Sequence, residues 1–112
     1  MISFIIKSEP FSWKAHEGLR LAAASGITND TNVIFTGDGI YAITKWRPEA
    51  LGLASFEKML EQMSMLNINF YAENSCIESR GLKAFEFIIE PKIISSEEVK
   101  DLIHKSKAVL VW

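Results

Sequence analysis

The chain has 112 residues, of which 48% are hydrophobic and 23% charged, and its net charge is −2. That length suits one domain, 1–112. Without a dense Lys/Arg run, the mild negative charge excludes a phosphate-backbone footprint, so direct nucleic-acid binding is not expected. The sole cysteine, Cys76, has no partner for an internal disulfide.

Met1 to Lys7 is apolar, but it is too short for a membrane span and lacks the basic start and cleavage site of a signal peptide. It reads as a first strand of a cytoplasmic protein without membrane contact. The run Ile2-Ser3-Phe4-Ile5-Ile6 fits a strand buried on both faces of a parallel sheet. From Ser12, Ala15, Gly18, Leu19, Ala22 and Ala23 recur at helical spacing. Ser12 suits the N-cap and Gly26 the C-terminal stop.

Asn29 to Asn32 reads as a turn, and Val33 to Thr36 as the second strand, ended by Gly37-Asp38-Gly39. Ile40 to Ile43 could stay extended or open a short helix. Pro48 suits the first position of a helix that carries Phe56, Met59, Leu60 and Met63 on one face. Asn67 to Ala72 is the third strand. A polar loop, with room for one helical turn, runs from Glu73 to Gly81.

Phe85 to Ile89 reads as a fourth strand, broken by Pro91 and extendable through Lys92 to Ile94. Ser95 and Glu98 form a capping box that opens a helix burying Val99, Leu102 and Ile103. Ala108 to Trp112 is a last, apolar strand, which hints at a terminus tucked into the sheet or into a subunit contact. Strands and helices alternate as β-α-β-α-β-turn-β-α-β. This predicts an α/β fold with a mostly parallel five-stranded sheet and helices on both faces.

Ligands of such sheets meet the loops beyond the carboxyl ends of the strands. Here these are Ser8 to Trp13, Gly37 to Tyr41 and Glu73 to Gly81, expected to face one another along one edge. Cys76 lies in the third loop. A reactive thiol must reach the thiolate state, which a helix N-terminus or a cation favours. A helical turn from Ser75 would set Arg80 about one turn from Cys76, while Glu73 and Glu78 would oppose a second anion. The alternative is an unreactive, half-buried cysteine.

Gly37-Asp38-Gly39 lacks the lysine and longer glycine pattern of a phosphate loop, and a tight turn is its simpler reading. Asp38 could cap the next turn or point into the cleft. His16 and His104 stand apart from other ligand types, so no metal is expected, and no Ser-His-Asp set can be built. No cofactor is expected. Met59, Met63 and Met65 suit core or interface packing, and Trp13 and Trp46 lie near loop mouths.

Four stretches resemble the DsrE/DsrF-like family of sulfur metabolism, and most closely its DsrF/TusC type of subunit. They are the first strand and its loop with Glu17-Gly18-Leu19, Phe35-Thr36-Gly37-Asp38-Gly39-Ile40-Tyr41, Ser79-Arg80-Gly81-Leu82, and Ala108-Val109-Leu110-Val111-Trp112. The resemblance spans almost the whole chain. It implies a three-layer α/β/α fold and assembly as a homo-oligomer, trimer or hexamer, or as a hetero-oligomer with sister subunits. It further implies a sulfur relay in which a cysteine carries persulfide sulfur between proteins, toward tRNA thiolation or sulfur oxidation. Such a protein is a sulfurtransferase-type carrier with a sulfur-carrier protein as partner, rather than a turnover enzyme.

Aligned on Arg80-Gly81, the family's characteristic cysteine falls at Glu73, and Cys76 stands three residues later. Three readings follow. In the first, Cys76 is the sulfur carrier, with its thiolate stabilised by Arg80 and by the N–H groups around Ile77 and Glu78. In the second, the chain is a non-catalytic assembly subunit, with an apolar C-terminus and a Met-rich helix as contact surfaces. In the third, the Gly37-Asp38-Gly39 mouth binds a small ligand or nucleotide, and the candidate binding residues of the segment pair are Asp38, Gly39, Glu73 and Gly81.

Overall fold

The computed structural model describes residues 1–10, 12–45, 48–52, 56–82 and 87–112. Five strands form one sheet: β1 (Ile2–Ile6), β2 (Thr31–Phe35), β3 (Ile68–Glu73), β4 (Lys92–Ile94) and β5 (Ala108–Val111). Their order is β4-β3-β2-β1-β5, and every neighbouring pair is parallel. The helices are α1 (Trp13–Thr28), α2 (Glu57–Met63), α3 (Asn74–Ser79) and α4 (Ser96–Lys105), with 3-10 segments at Gly37–Ile43 and Pro48–Leu51.

The chain steps in one direction from β1 to β4, then crosses back over to place β5 outside β1. Parallel crossovers are right-handed, so this reversal sends α4 to the opposite face from α1. Strand alternation records the two faces. Phe4, Ile6, Val33 and Phe35 pack with Ala15, Leu19 and Ala22 of α1 and with Leu60 and Met63 of α2. Ile5, Ile34 and Tyr71 pack with Val99, Leu102 and Ile103 of α4. The result is the expected three-layer α/β/α arrangement around a five-stranded parallel sheet.

Ser12 caps α1 as expected, its hydroxyl accepting from the Lys14 N–H at 3.4 Å. Gly26 is not the stop, because α1 runs on to Thr28. Gly26 is buried within the helix, where an added Cβ would lie 2.6 Å from Ile68 Cδ1. The glycine therefore serves close packing of α1 on β3 rather than termination. The capping box at Ser95 and Glu98 is present in full.

Three other boundaries differ from the sequence reading. β2 already begins at Thr31, so the turn is shorter than Asn29 to Asn32. The helix expected from Pro48 is divided into the short 3-10 segment and α2, with residues 53–55 outside the described residues. The fourth strand of the sheet is Lys92–Ile94. In the predicted strand 85–89, residues 85 and 86 lie outside the described residues, and Phe87 makes one isolated antiparallel bridge to Thr44. Phe87 is buried in the core that α1 and α2 cover.

The terminus tucks in. Trp112 stacks on Phe4 with ring centroids 5.8 Å apart, and its carbonyl accepts from the N–H groups of Lys7 and Ser8 at 2.7 and 3.1 Å. Val109, Leu110 and Val111 on the edge strand stay exposed.

Candidate functional site

Because β1, β2 and β3 are adjacent and parallel, their carboxyl ends lie side by side. The segments after β2 and β3 meet there. Gly37 opens the 3-10 segment with a φ of +52°, a conformation that glycine adopts without the steric cost of a side chain. This turn aims the Gly37 N–H at Cys76 Sγ, 3.2 Å away. Gly39 sits so close to the Ile6 carbonyl that no side chain fits between them. The segment is thus pressed onto the end of β1 while it reaches the third loop.

That third loop is helical: α3 follows β3 directly. One turn of helix brings Cys76 back over Glu73. The thiol donates to Glu73 Oε1 at 3.0 Å, and Ser96 Oγ of α4 donates to the other carboxylate oxygen at 2.6 Å. Ser75 and Ser96 hydroxyls lie 3.3 Å apart. Cys76 is half-buried.

Arg80 bridges the two segments. Its Nε and Nη2 donate to Asp38 Oδ1 at 3.2 and 2.9 Å, and its Nη1 donates to the Cys76 carbonyl at 3.3 Å. The Asp38 side chain is 59% exposed and that of Arg80 23%. Such a pair is held by geometry more than by burial. Gly81 has a φ of +64° just after α3, the left-handed turn that ends a helix.

These contacts determine the charge state of the sulfur. Burial pushes the Cys76 thiol above its ordinary value, and the Glu73 carboxylate that accepts its proton pushes in the same direction. The Gly37 N–H opposes them, and Arg80 opposes them more weakly. The guanidinium is already engaged by Asp38, which raises its own affinity for the proton. At neutral pH the sulfur is therefore a thiol.

The structure thus gathers Cys76, Arg80, Asp38, Glu73 and the Gly37–Gly39 turn at one place. Two details differ from the sequence reading. The backbone N–H on the sulfur belongs to Gly37, not to Ile77 or Glu78, and Arg80 is directed to Asp38 and a carbonyl rather than to the sulfur. The Gly37 and Gly39 N–H groups are engaged by Cys76 Sγ and the Thr36 carbonyl, so the turn acts as a brace. At the start of the first loop, the Ser8 N–H donates to the Trp112 carbonyl. Trp13 is exposed and packs edge-on against His16, with ring centroids 5.2 Å apart, while Trp46 lies outside the described residues.

Sequence reasoning missed Ser96. It reads there only as the first residue of a helix, and nothing local predicts that α4 returns to the end of β3. Among the described residues, no three His, Cys, Asp or Glu side chains gather as metal ligands would. Among the same residues, no helix is long and apolar enough to cross a membrane.

The description of the DsrE/DsrF-like family matches this chain over residues 1–112. A protein named TusC homolog from Aliivibrio fischeri is 29% identical over 117 residues, covering 99% of this chain and 98% of the relative. Another of that name, from Vibrio parahaemolyticus, is 26% identical over 113 residues, covering 97% and 96%. Among solved structures, the ychN protein from E. coli superposes with a TM-score of 0.84 at 21% identity, covering 99% of this chain and 97% of that one. A protein of unknown function from Methanobacterium thermoautotrophicum gives a TM-score of 0.73 at 12% identity, with the same coverage. At these identities the structural likeness speaks for the fold alone.

Proposed function

Since the chain belongs to the DsrE/DsrF-like family, we propose that it is a cytoplasmic sulfur-relay subunit whose carrier is Cys76. The observation that carries this reading is the seat of the sulfur. Cys76 is half-buried at the carboxyl edge of the sheet, 3.0 Å from the side chain that stands where the resemblance places the family cysteine. A turn of helix moves the thiol three residues along the sequence but little in space.

In the transfer, Cys76 sulfur attacks the outer sulfur of a donor protein's persulfide. The donor's S–S bond breaks, a new S–S bond forms on Cys76, and the proton lost by the Cys76 thiol ends on the donor's departing sulfur. No oxidant or reductant is consumed, and one thiol per protein suffices. Arg80 and Asp38 hold the 3-10 segment so that the Gly37 N–H stays on the sulfur, where it stabilises the thiolate form. The names of the relatives support a TusC-type subunit. Its setting would be an oligomer, of like or sister subunits, that passes sulfur toward tRNA thiolation or sulfur oxidation.

Incubation with a persulfide donor followed by intact mass measurement tests the reading. One added sulfur on the wild type and none on Cys76→Ser is expected, and equal adducts on both would refute it. The Glu73 contact itself favours a second reading, an assembly subunit with a silent site. Sedimentation would then show a stable oligomer while the mass measurement shows no sulfur uptake.

A further inference from the structure

Glu73 occupies the N-cap position of α3, yet its side chain makes no capping bond to that helix. The shorter Asp, Asn, Ser and Thr side chains cap a helix from this position, whereas the longer Glu73 side chain reaches past it. One oxygen accepts from the Cys76 thiol and the other from Ser96 of α4. The end of β3, α3 and α4 therefore converge on one carboxylate, and both of its oxygens are engaged away from its own helix.

We propose that Glu73 is a positioning residue that restrains Cys76, its carboxylate anchored by Ser96 and holding the sulfur in the thiol form until the contact is opened. This rests on the reading of Cys76 as the carrier and adds its regulation. The charges around the sulfur support it. Glu73 and Arg80 are the charged groups whose fields act on the sulfur, and Asp38 on the 3-10 segment already pairs with Arg80. Tyr41 on the same segment lies near Arg80. On α3, Glu78 accepts from Asn74, and on α4, Glu98 is engaged by Ser95. Among the described residues, the cation whose field acts on the sulfur is thus paired with Asp38, and the Glu73 oxygens are met by a thiol and a hydroxyl rather than by a cation. A donor that displaces the Glu73 carboxylate from the thiol removes both the proton acceptor and the repelling charge.

The test is the pH dependence of Cys76 alkylation by iodoacetamide on the full native chain, with Cys76→Ser establishing that label enters at this sulfur. In Glu73→Gln the midpoint of the rate profile should move to lower pH and labelling at pH 7.5 should rise several-fold. In Ser96→Ala the midpoint should move the same way by less. A purely structural role would change the plateau rate and leave the midpoint in place. A midpoint that is unmoved or raised in Glu73→Gln overturns the proposal. Should Glu73→Gln fail to fold, Glu73→Asp and Ser96→Ala carry the test, and unmoved midpoints in both overturn it. Persulfide loading separates the two claims. A moved midpoint without sulfur uptake retains the restraint and rejects the relay, whereas uptake with an unmoved midpoint does the reverse.

Discussion

Replacing Gly39 with alanine probes the contact that seats the 3-10 segment. An added Cβ would lie 2.6 Å from the Ile6 carbonyl carbon, closer still to its oxygen, and 3.1 Å from the Lys7 nitrogen. Carbon atoms rest about 3.5–4.0 Å apart, so the segment must retreat by roughly 1 Å. Neither side can yield cheaply. Ile6 is fully buried in β1, and its carbonyl also accepts from the Thr36 N–H at 3.0 Å. Overpacking typically costs about 1–3 kcal/mol, and a clash with backbone belongs at the upper end. Against this, alanine lowers unfolded-state entropy by about 0.4–1 kcal/mol. The net expectation is a loss of about 2 kcal/mol, read as a melting temperature about 8 °C lower for a domain of this size. Urea unfolding followed by circular dichroism measures it. Gly52→Ala is the companion variant, since Gly52 has a φ of +74° and, among the described residues, nothing lies within 4 Å of an added Cβ. It should cost only the left-handed penalty of about 1 kcal/mol. A Gly39→Ala protein within 0.5 kcal/mol of wild type (roughly the scatter of ordinary surface changes) would refute the clamp.

Other outcomes follow from single contacts. Ser95→Ala removes the hydroxyl that accepts from the Glu98 N–H at 3.2 Å. It should cost about 1 kcal/mol in urea unfolding. A double-mutant cycle of Arg80→Ala and Asp38→Ala should give a coupling below about 1 kcal/mol that fades with added salt, because Asp38 is largely exposed. The folded state raises the Cys76 pKa above its ordinary 9.0, by burial first and by the Glu73 acceptor next. The stability tied to this thiol is therefore complete below about pH 9 and is lost as pH rises through the folded value. Cys76→Ala should flatten the alkaline limb of stability against pH, and an unchanged limb would show that the thiol environment is the same in the unfolded chain.

Local signals in the sequence were sufficient for most elements. Ser12 and the Ser95/Glu98 box mark helix starts through side chains that satisfy orphan N–H groups, and those bonds form within four residues of chain. Apolar runs mark β1, β2 and β3 because both faces of a parallel sheet are covered. Gly26 misled because a small residue in a helix signals either a stop or a close neighbour. The neighbour, Ile68, is 42 residues away in the sequence. Phe87 to Ile89 misled for a related reason, since an apolar run records burial without recording what covers it.

The candidate site divides the same way. Composition and alternation pointed to an α/β sheet with its loops at the carboxyl edge, and placed Cys76 and Arg80 on the third of them, one turn apart once that loop is helical, as α3 is. Only the tertiary structure decided what surrounds the sulfur. Strand order set the Gly37 N–H and Asp38 beside α3, and the reversal after β4 brought Ser96 to Glu73. A thiol's proton affinity depends on the carboxylate and N–H groups within hydrogen-bond reach, and apart from Glu73 these come from segments distant in the sequence.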